Sequence, residues 1–291
     1  MPSYPDSVLE CVPNVSEGRD PRVLVDLAAA CTESLLDLHT DPDHHRSVFT
    51  LAGPTERDAE DAARDLARAV AERVDLSAHD GVHPRFGALD VVPFVALGDT
   101  APSTAVDAAR SFASWAADEL QLPVFVYGDA DPQRRSLPEL RHDAFGTRAP
   151  DLGPDAPLPR LGAVAVGARP VLVAVNCELD RDDVALASTI ARSVRASDGG
   201  LPGVRALGLP LATRARAQVS MNLVDLAATG LQEACETVRA LARAHTADVA
   251  RVEVVGLLPA AELARCDDEF RAWSRIGPDQ TIEAQLALRL A

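Results

Sequence analysis

The chain has 291 residues, with Asp and Glu totalling 44 against 28 Lys and Arg, for a formal net charge of −16. All 28 basic residues are arginine, which excludes a Schiff-base lysine, a pyridoxal-phosphate anchor and a GxxxxGK[ST] phosphate loop. The acidic surplus argues against general nucleic-acid binding and against docking on an anionic membrane, so an anionic substrate must be held by a few local arginines, whose planar fork suits carboxylates. The Ala- and Arg-rich, Lys-free composition reads first as codon bias rather than functional avoidance of lysine. This length predicts one large or two medium α/β domains. Apolar residues at 47% and aromatics at 4% give a core of Ala, Val and Leu. Five scattered cysteines, Cys11, Cys31, Cys177, Cys235 and Cys266, read as reduced buried thiols of a cytoplasmic protein. The acidic N-terminus shows no signal peptide, and no apolar run reaches the ~18 residues of a membrane span.

In chain order, Ser7–Val12 reads as a strand ending at Pro13-Asn14. Asp20-Pro21 caps a helix to about Cys31. Leu35–His39 and Arg46–Ala52 read as strands joined by the DPDHH turn. From about Thr55 to Val74, Ala59, Ala63, Leu66, Val70 and Val74 recur at helical spacing and mark one apolar face. The next stretch is punctuated by Gly81, Pro84 and Gly87, hence loop, before a strand over Leu89–Leu97. A helix over Ser103–Leu120 and a strand over Pro123–Tyr127 follow, and residues 129–160, rich in Pro, Asp and Gly, read as a loop leading to a domain boundary. Beyond it the pattern predicts a strand (Pro170–Leu179), a helix (Asp182–Val194), two strands (Val204–Leu211, Ala217–Leu226), a helix (Leu231–His245), a strand (Val252–Leu258) and a terminal helix after Asp279. Both halves therefore have a β-α-β-β-α-β order, as in ferredoxin-like units.

Five of the seven histidines, His39, His44, His45, His79 and His83, fall within residues 39–83, and histidine is the side chain that best exchanges protons near neutrality. The HTDPDHHRS cluster reads first as a polar turn, with substrate contact as an alternative. Its DHH triplet also resembles a signature of manganese-dependent phosphoesterases, which would make it a metal site. In HDGVHPRFGALD, Gly81 and Pro84 disfavour a helical zinc pair. His83, fixed ahead of Pro84, stands between a general base and a structurally bonded histidine. CVPNVSEGRD places short polar residues ahead of a helix N-terminus, either as ordinary capping or as a carboxylate seat. No GxSxG, HExxH or GxGxxG motif is present.

Three segments together resemble the formiminotransferase family: ECVPNVSEGRD (Glu10–Asp20), DPDHHRSVFTLAG (Asp41–Gly53) and GVHPRFGALDVVPFV (Gly81–Val95). LPVFVYGDA (Leu122–Ala130), GARPVLVAVN (Gly167–Asn176) and AQVSMNLVD (Ala217–Asp225) agree with it, in order, from about residue 9 to about residue 285. The resemblance implies an α/β (α+β) fold of two subdomains, residues 1–167 and 168–291. Each would be a β-sheet with helices packed on its outer face, with a substrate tunnel between the two. It also implies a cytoplasmic homodimeric enzyme that moves the formimidoyl group of N-formimidoyl-L-glutamate to tetrahydrofolate, its co-substrate, without a metal. The family's GxHPR histidine falls on His83, as general base. Arg46 and Arg85 are the first candidates to clamp carboxylates, followed by Arg160, Arg192 and Arg214, and Asn14, Ser16, Glu17, Gly18, Asp41 and Asp43 are candidates to line the substrate site. The folate-binding loop maps to Gly153, Pro154, Asp155, Ala156, Pro157, Leu158, Pro159, Arg160 and Leu161. The chain departs from the animal pattern at His39 and His45, and its resemblance to the animal enzyme stops at the transferase domain. Formyl transfer between 5-formyltetrahydrofolate and glutamate, or folate binding without catalysis, are the alternative readings.

Overall fold

The computed structural model describes residue 4, residues 7–79 and residues 85–290. The chain divides into two compact units, one running to Pro170 and including the stretch from Leu286, the other spanning Val171–Gln285.

The first unit begins with β1 (Val8–Cys11) and β2 (Asn14–Val15), which lie end to end between the same two neighbours. Pro13 has no N–H to give and interrupts the line, while its carbonyl still accepts from Phe49 N at 2.9 Å. Then come α1 (Pro21–Ala30), β3 (Leu35–Asp41), β4 (Arg46–Ala52), α2 (Glu56–Arg73), β5 (Leu89–Leu97), α3 (Pro102–Glu119), β6 (Val124–Gly128), α4 (Leu137–Asp143) and β7 (Val164–Ala168). Among the described residues the strand order is β3-β4-(β1, β2)-β5-β7-β6. The pairs from β3 to β5 are antiparallel, and those joining β5, β7 and β6 are parallel. The first four strand positions thus form the ferredoxin-like arrangement read from the sequence, extended by two parallel strands.

Leu27 of α1, Ala59, Ala63, Leu66 and Val70 of α2 and Ala109, Phe112 and Ala116 of α3 pack with the sheet in one core. These include the α2 positions picked out by periodicity, and the helix opens with a capping box of Thr55 and Asp58. The other face of β5, β7 and β6 carries Val91, Ala165 and Phe125, covered by Leu140 of α4 with Leu137, Ala144 and Phe145.

Two elements correct the reading of residues 129–160 as a loop running to the boundary. Ser136 and Glu139 form a capping box that starts α4, and the fully buried β7 lies beyond the Pro-rich stretch, which is therefore internal to the first unit.

The second unit contains β8 (Val173–Leu179), α5 (Val184–Val194), β9 (Val204–Leu211), β10 (Arg216–Leu223), α6 (Leu231–Ala244), β11 (Val249–Val255), α7 (Ala260–Ala264) and α8 (Asp268–Ser274), with α9 (Ile282–Leu290) starting at its end. Its sheet has the order β11-β8-β10-β9, antiparallel throughout. Ile190 and Val194 of α5 and Cys235 and Val238 of α6 bury against Val175, Cys177, Val219 and Val252. The last strand starts three residues earlier than expected from the sequence, and α7 and α8, too short for a clear periodicity, add Leu263 and Phe270 to the core. All five cysteines are free and buried, and burial pushes the Cys31 thiol to about 12. No described helix is long and apolar enough to cross a membrane.

Candidate active site

Four chain segments converge in the first unit. The first is the turn between β2 and α1. Glu17 Oε1 accepts from the N–H groups of Arg19 at 2.7 Å and Asp20 at 3.0 Å, and Asp20 in turn accepts from Arg22 N at 2.8 Å. The helix N-terminus is therefore capped by the protein's own carboxylates. Ser16 is buried and ties this turn to the third segment, its N–H bonding Ala88 O at 2.7 Å and its hydroxyl bonding Gly87 O at 2.8 Å.

The second segment is the β3–β4 turn. Asp41 Oδ1 accepts from Asp43 N at 2.8 Å and His44 N at 2.9 Å, and its other oxygen bonds His44 Nδ1. Burial alone would raise the Asp41 carboxyl, but the His44 hydrogen bonds outweigh it and hold it below the usual carboxylate value. The DHH triplet is thus a carboxylate-organised turn, with Asp43 and His44 both buried. Among the described residues, no group of three His, Cys, Asp or Glu could hold a metal ion.

His45 occupies the left-handed region, with φ +49°, one of the few side chains that does so readily. Its Nδ1 accepts from Gly18 N at 3.2 Å, which puts the neutral ring's proton on Nε2, and Glu17 Oε1 lies 3.5 Å from the same Nδ1. Gly18 must be glycine here: a Cβ would stand 2.5 Å from Asp41 O and 2.6 Å from Arg46 N.

The third segment comprises residue 79 and residues 85–90. His79 stacks on His45 with ring centroids 4.0 Å apart, and its Nε2 donates to the His45 carbonyl at 3.0 Å. Arg85 Nη1 lies 3.3 Å from the same nitrogen. Burial and the neighbouring Arg46 and Arg19 draw the Arg85 pKa down, with Asp90 opposing them. His83, the expected base, lies outside the described residues.

At the head of β5 sits Asp90, with no solvent exposure. One oxygen accepts from Phe86 N; the other lies 2.7 Å from both Arg46 Nη1 and Arg141 Nη2. Burial pushes the carboxyl up, but the two guanidiniums and the Phe86 N–H outweigh it, so Asp90 is held charged well within the neutral range. Arg46 Nε also donates to Asn14 Oδ1 at 2.9 Å, linking this cluster to β2. Burial lowers the Arg46 pKa, Asp90 opposes that, and Arg141 adds to it.

The fourth segment is the loop 153–161. It closes on itself through Leu158 and Gly162, which exchange bonds of 2.9 and 2.7 Å, and it meets the third segment where Ala88 N donates to Leu161 O at 2.9 Å. At that crossing a Cβ on Gly87 would stand 2.0 Å from Ala163 O. Gly153, Asp155, Ala156, Pro157, Pro159 and Arg160 are exposed, while Pro154, Leu158 and Leu161 are half-buried. Arg160 lies 3.4 Å from Asp75. Gly153 and Pro154, with Ala117, Asp118, Gln121 and Leu152, line a surface cavity of about 430 Å³. In the second unit, Arg192 bonds Thr189 on α5 and Arg214 pairs with Glu178 at 2.9 Å.

Within the first unit, the described parts of the site segments chosen from the sequence therefore meet. Asp90 and Arg141 were missed. An Asp heading an otherwise apolar strand is the available signal for Asp90, since a buried carboxylate needs partners. For Arg141 the signal was the Ser136–Glu139 capping box that makes its segment a helix.

Among the described residues, the arrangement offers backbone turns locked by glycine, two stacked imidazoles and a buried carboxylate shared by two arginines. Comparison with known proteins agrees in extent and order. The N-terminal subdomain of the formiminotransferase domain matches residues 8–169, and the formiminotransferase domain matches residues 174–275. The glutamate formimidoyltransferase of Streptococcus pyogenes serotype M1 is 38% identical over 88% of this chain and 90% of its own length. That of Thermoplasma acidophilum is 38% identical over 87% of this chain and 88% of its own. The formimidoyltransferase-cyclodeaminase of Sus scrofa is 36% identical over 87% of this chain but only 50% of its own longer sequence. With both halves matched in sequence and the motif-bearing turns brought together in one unit, the chain belongs to the formiminotransferase family.

Proposed function

We propose that the chain is a glutamate formimidoyltransferase, taking the formimidoyl group from N-formimidoyl-L-glutamate and giving 5-formimidoyltetrahydrofolate and L-glutamate. The observation that carries this reading is the convergence of the β2–α1 turn, the β3–β4 turn and residues 85–90 on the buried Arg46–Asp90–Arg141 cluster, in a chain whose bacterial and archaeal relatives bear that name.

The chemistry follows from the groups involved. The secondary amine of tetrahydrofolate adds to the formimidoyl carbon and loses a proton, which the His83 imidazole accepts as general base. The tetrahedral adduct then collapses as the glutamate nitrogen leaves with a proton returned by the same imidazole. No covalent enzyme adduct and no metal are called for. Arg46 and Arg85 face the carboxylates of the donor or of the glutamyl tail. Asn14, Ser16, Glu17, Gly18, Asp41 and Asp43 shape the donor site, and Gly153–Leu161 holds folate. The subdomains are assigned to residues 1–167 and 168–291, and the enzyme is assigned as a cytoplasmic homodimer with small-molecule substrates.

The test is a panel of donors, N-formimidoyl-L-glutamate, N-formyl-L-glutamate and 5-formyltetrahydrofolate with glutamate, scored by mass-spectrometric product identity. The expected result is 5-formimidoyltetrahydrofolate with equimolar glutamate from the first donor. Formyl transfer alone, or no glutamate release, would overturn the reading.

A further inference from the structure

The strand β9 lies last in the second unit's sheet, whose order is β11-β8-β10-β9. The helix α5 packs on it so closely that a Cβ on Gly208 would stand 2.2 Å from Ser188 N, so strand and helix form one rigid border. The ladder decides which backbone groups of β9 face outward. On β10, Ala217 N donates to Arg181 O, past the end of β8, at 3.0 Å, and just beyond β10 Val224 N donates to Gly203 O at 2.8 Å. Odd residues of β10 therefore turn to β8 and even ones to β9. The even residues of β10 face the odd residues of β9, so the even residues of β9 point their backbone groups off the sheet. Of these, Val204 spends its N–H on Leu201 O at 3.3 Å, and Pro210 has none to give. Ala206 and Gly208 keep both N–H and C=O outward, with no backbone bond beyond the sheet among the described residues. Leu207 between them is 48% exposed. An apolar edge with unpaired backbone groups is a template for another strand.

We infer that β9 is the surface through which two copies of this chain pair, antiparallel across a two-fold axis at Leu207, joining their second-unit sheets into one. In that register Ala206 faces the partner's Gly208 and exchanges both hydrogen bonds with it, and the same pair recurs on the other side of the axis. An axis at Ala206 would call on the Val204 N–H already given to Leu201, and an axis at Gly208 would call on an N–H that Pro210 lacks. The Leu207 register alone uses only groups that are available. It also sets Leu207 against the partner's Leu207 in the closely spaced, non-hydrogen-bonded position, which covers the exposed side chain. A second copy is the occupant because the edge is self-complementary: every donor, acceptor and apolar contact that the register needs is supplied by β9 itself. The inference goes beyond the transferase reading, whose homodimer assignment specifies no surface.

Light scattering and oxidative crosslinking of the full chain provide the test. The wild type is expected to be a dimer at micromolar concentration. Leu207→Asp sets like charges against each other at the axis and is expected to weaken dimerisation at least about 100-fold, with the thermal melt of the wild type retained because the position is exposed. In Leu207→Cys the paired Cα atoms stand about 4.5 Å apart, within disulfide range, so copper phenanthroline in air is expected to give a covalent dimer on a non-reducing gel. Arg205→Cys, whose thiol faces the partner's Leu209, is expected to give none, and the native cysteines are all buried. A monomeric wild type would overturn the inference. So would a Leu207→Asp dimer of undiminished affinity, or a Leu207→Cys that crosslinks no faster than Arg205→Cys. If Leu207→Asp fails to fold, the two cysteine variants decide. Wild-type turnover of N-formimidoyl-L-glutamate, run alongside, reports separately: a dimer without turnover contradicts the transferase reading alone, and turnover by a monomer contradicts the pairing through β9 while leaving the transferase chemistry standing.

Discussion

At Asp90 a single buried carboxylate accepts from the Phe86 backbone and from two arginines, so removing its charge while keeping its shape is a severe change. Asp90→Asn leaves two buried guanidiniums without their counter-ion. The expected cost is about 3–5 kcal/mol of folding stability, read from a urea melt. A loss under 1 kcal/mol would mean that Arg46 and Arg141 find other partners. Gly87 is the second residue on which the site's geometry depends. Its hydrogens face the carbonyls of Leu161 and Ala163, where no methyl fits. Gly87→Ala is expected to push residues 85–88 away from the loop 153–161, lowering kcat/KM by at least about tenfold, since an Å-scale displacement at a reacting site is felt strongly. Unchanged kinetics would show that the two segments need not touch.

At the scale of elements, what the sequence made legible follows from where its signals are local. The α2 face, the β4 and β5 runs and the hinge at Pro13 are written in spacing and punctuation, and the structure places them accordingly. The Gly-, Pro- and His-rich turns were legible as site segments for the same reason: Gly18 and Gly87 are each required by a backbone passing within 3 Å. The helix α4 and strand β7 were hidden because Ala, Gly and Pro dominate their surroundings and each is short. A five-residue strand buried on both faces also carries no alternation to detect. The Asp90–Arg141 pair spans 51 residues and exists only once α4 lies across the sheet, so no spacing rule could have shown it. The paired imidazoles of His45 and His79 are likewise a product of the β3–β4 turn meeting residue 79, although both histidines belong to clusters evident in the sequence.

For the whole molecule, the charge of −16 has consequences that local arginines do not cancel. Both proposed substrates are anionic, so the protein's mean field opposes their approach, while the attraction is short-ranged and partly buried. Added salt screens the long-range term more than the buried one, so kcat/KM should hold steady or rise as ionic strength goes from about 0.01 to 0.15 M. A steep fall over that range would mean that exposed cations steer the substrates.

Acid should destabilise the fold in a defined window. Asp131 is fully buried and held by the Arg135 side chain at 2.5 and 2.8 Å and by the N–H groups of Gln133 and Arg135. These lower its carboxyl from 3.8 to about 2. A depressed native pKa gives stability that is complete above the unfolded value and lost as pH falls through the folded one, here from about pH 4 down to about pH 2, for about 2 kcal/mol. Asp90 and Asp41 are shifted in the same direction and add to the loss. Asp131→Asn should flatten the pH dependence of the unfolding free energy in that window, and an unchanged slope there would assign the acid sensitivity to other carboxylates.

The central claim is that formimidoyl transfer runs through the imidazole of His83. Its most direct test is the turnover of N-formimidoyl-L-glutamate and tetrahydrofolate by His83→Ala, measured on protein whose thermal midpoint and tetrahydrofolate affinity match the wild type. Loss of a general base predicts a fall in kcat of about 10²–10⁴; turnover close to the wild-type rate would contradict the account.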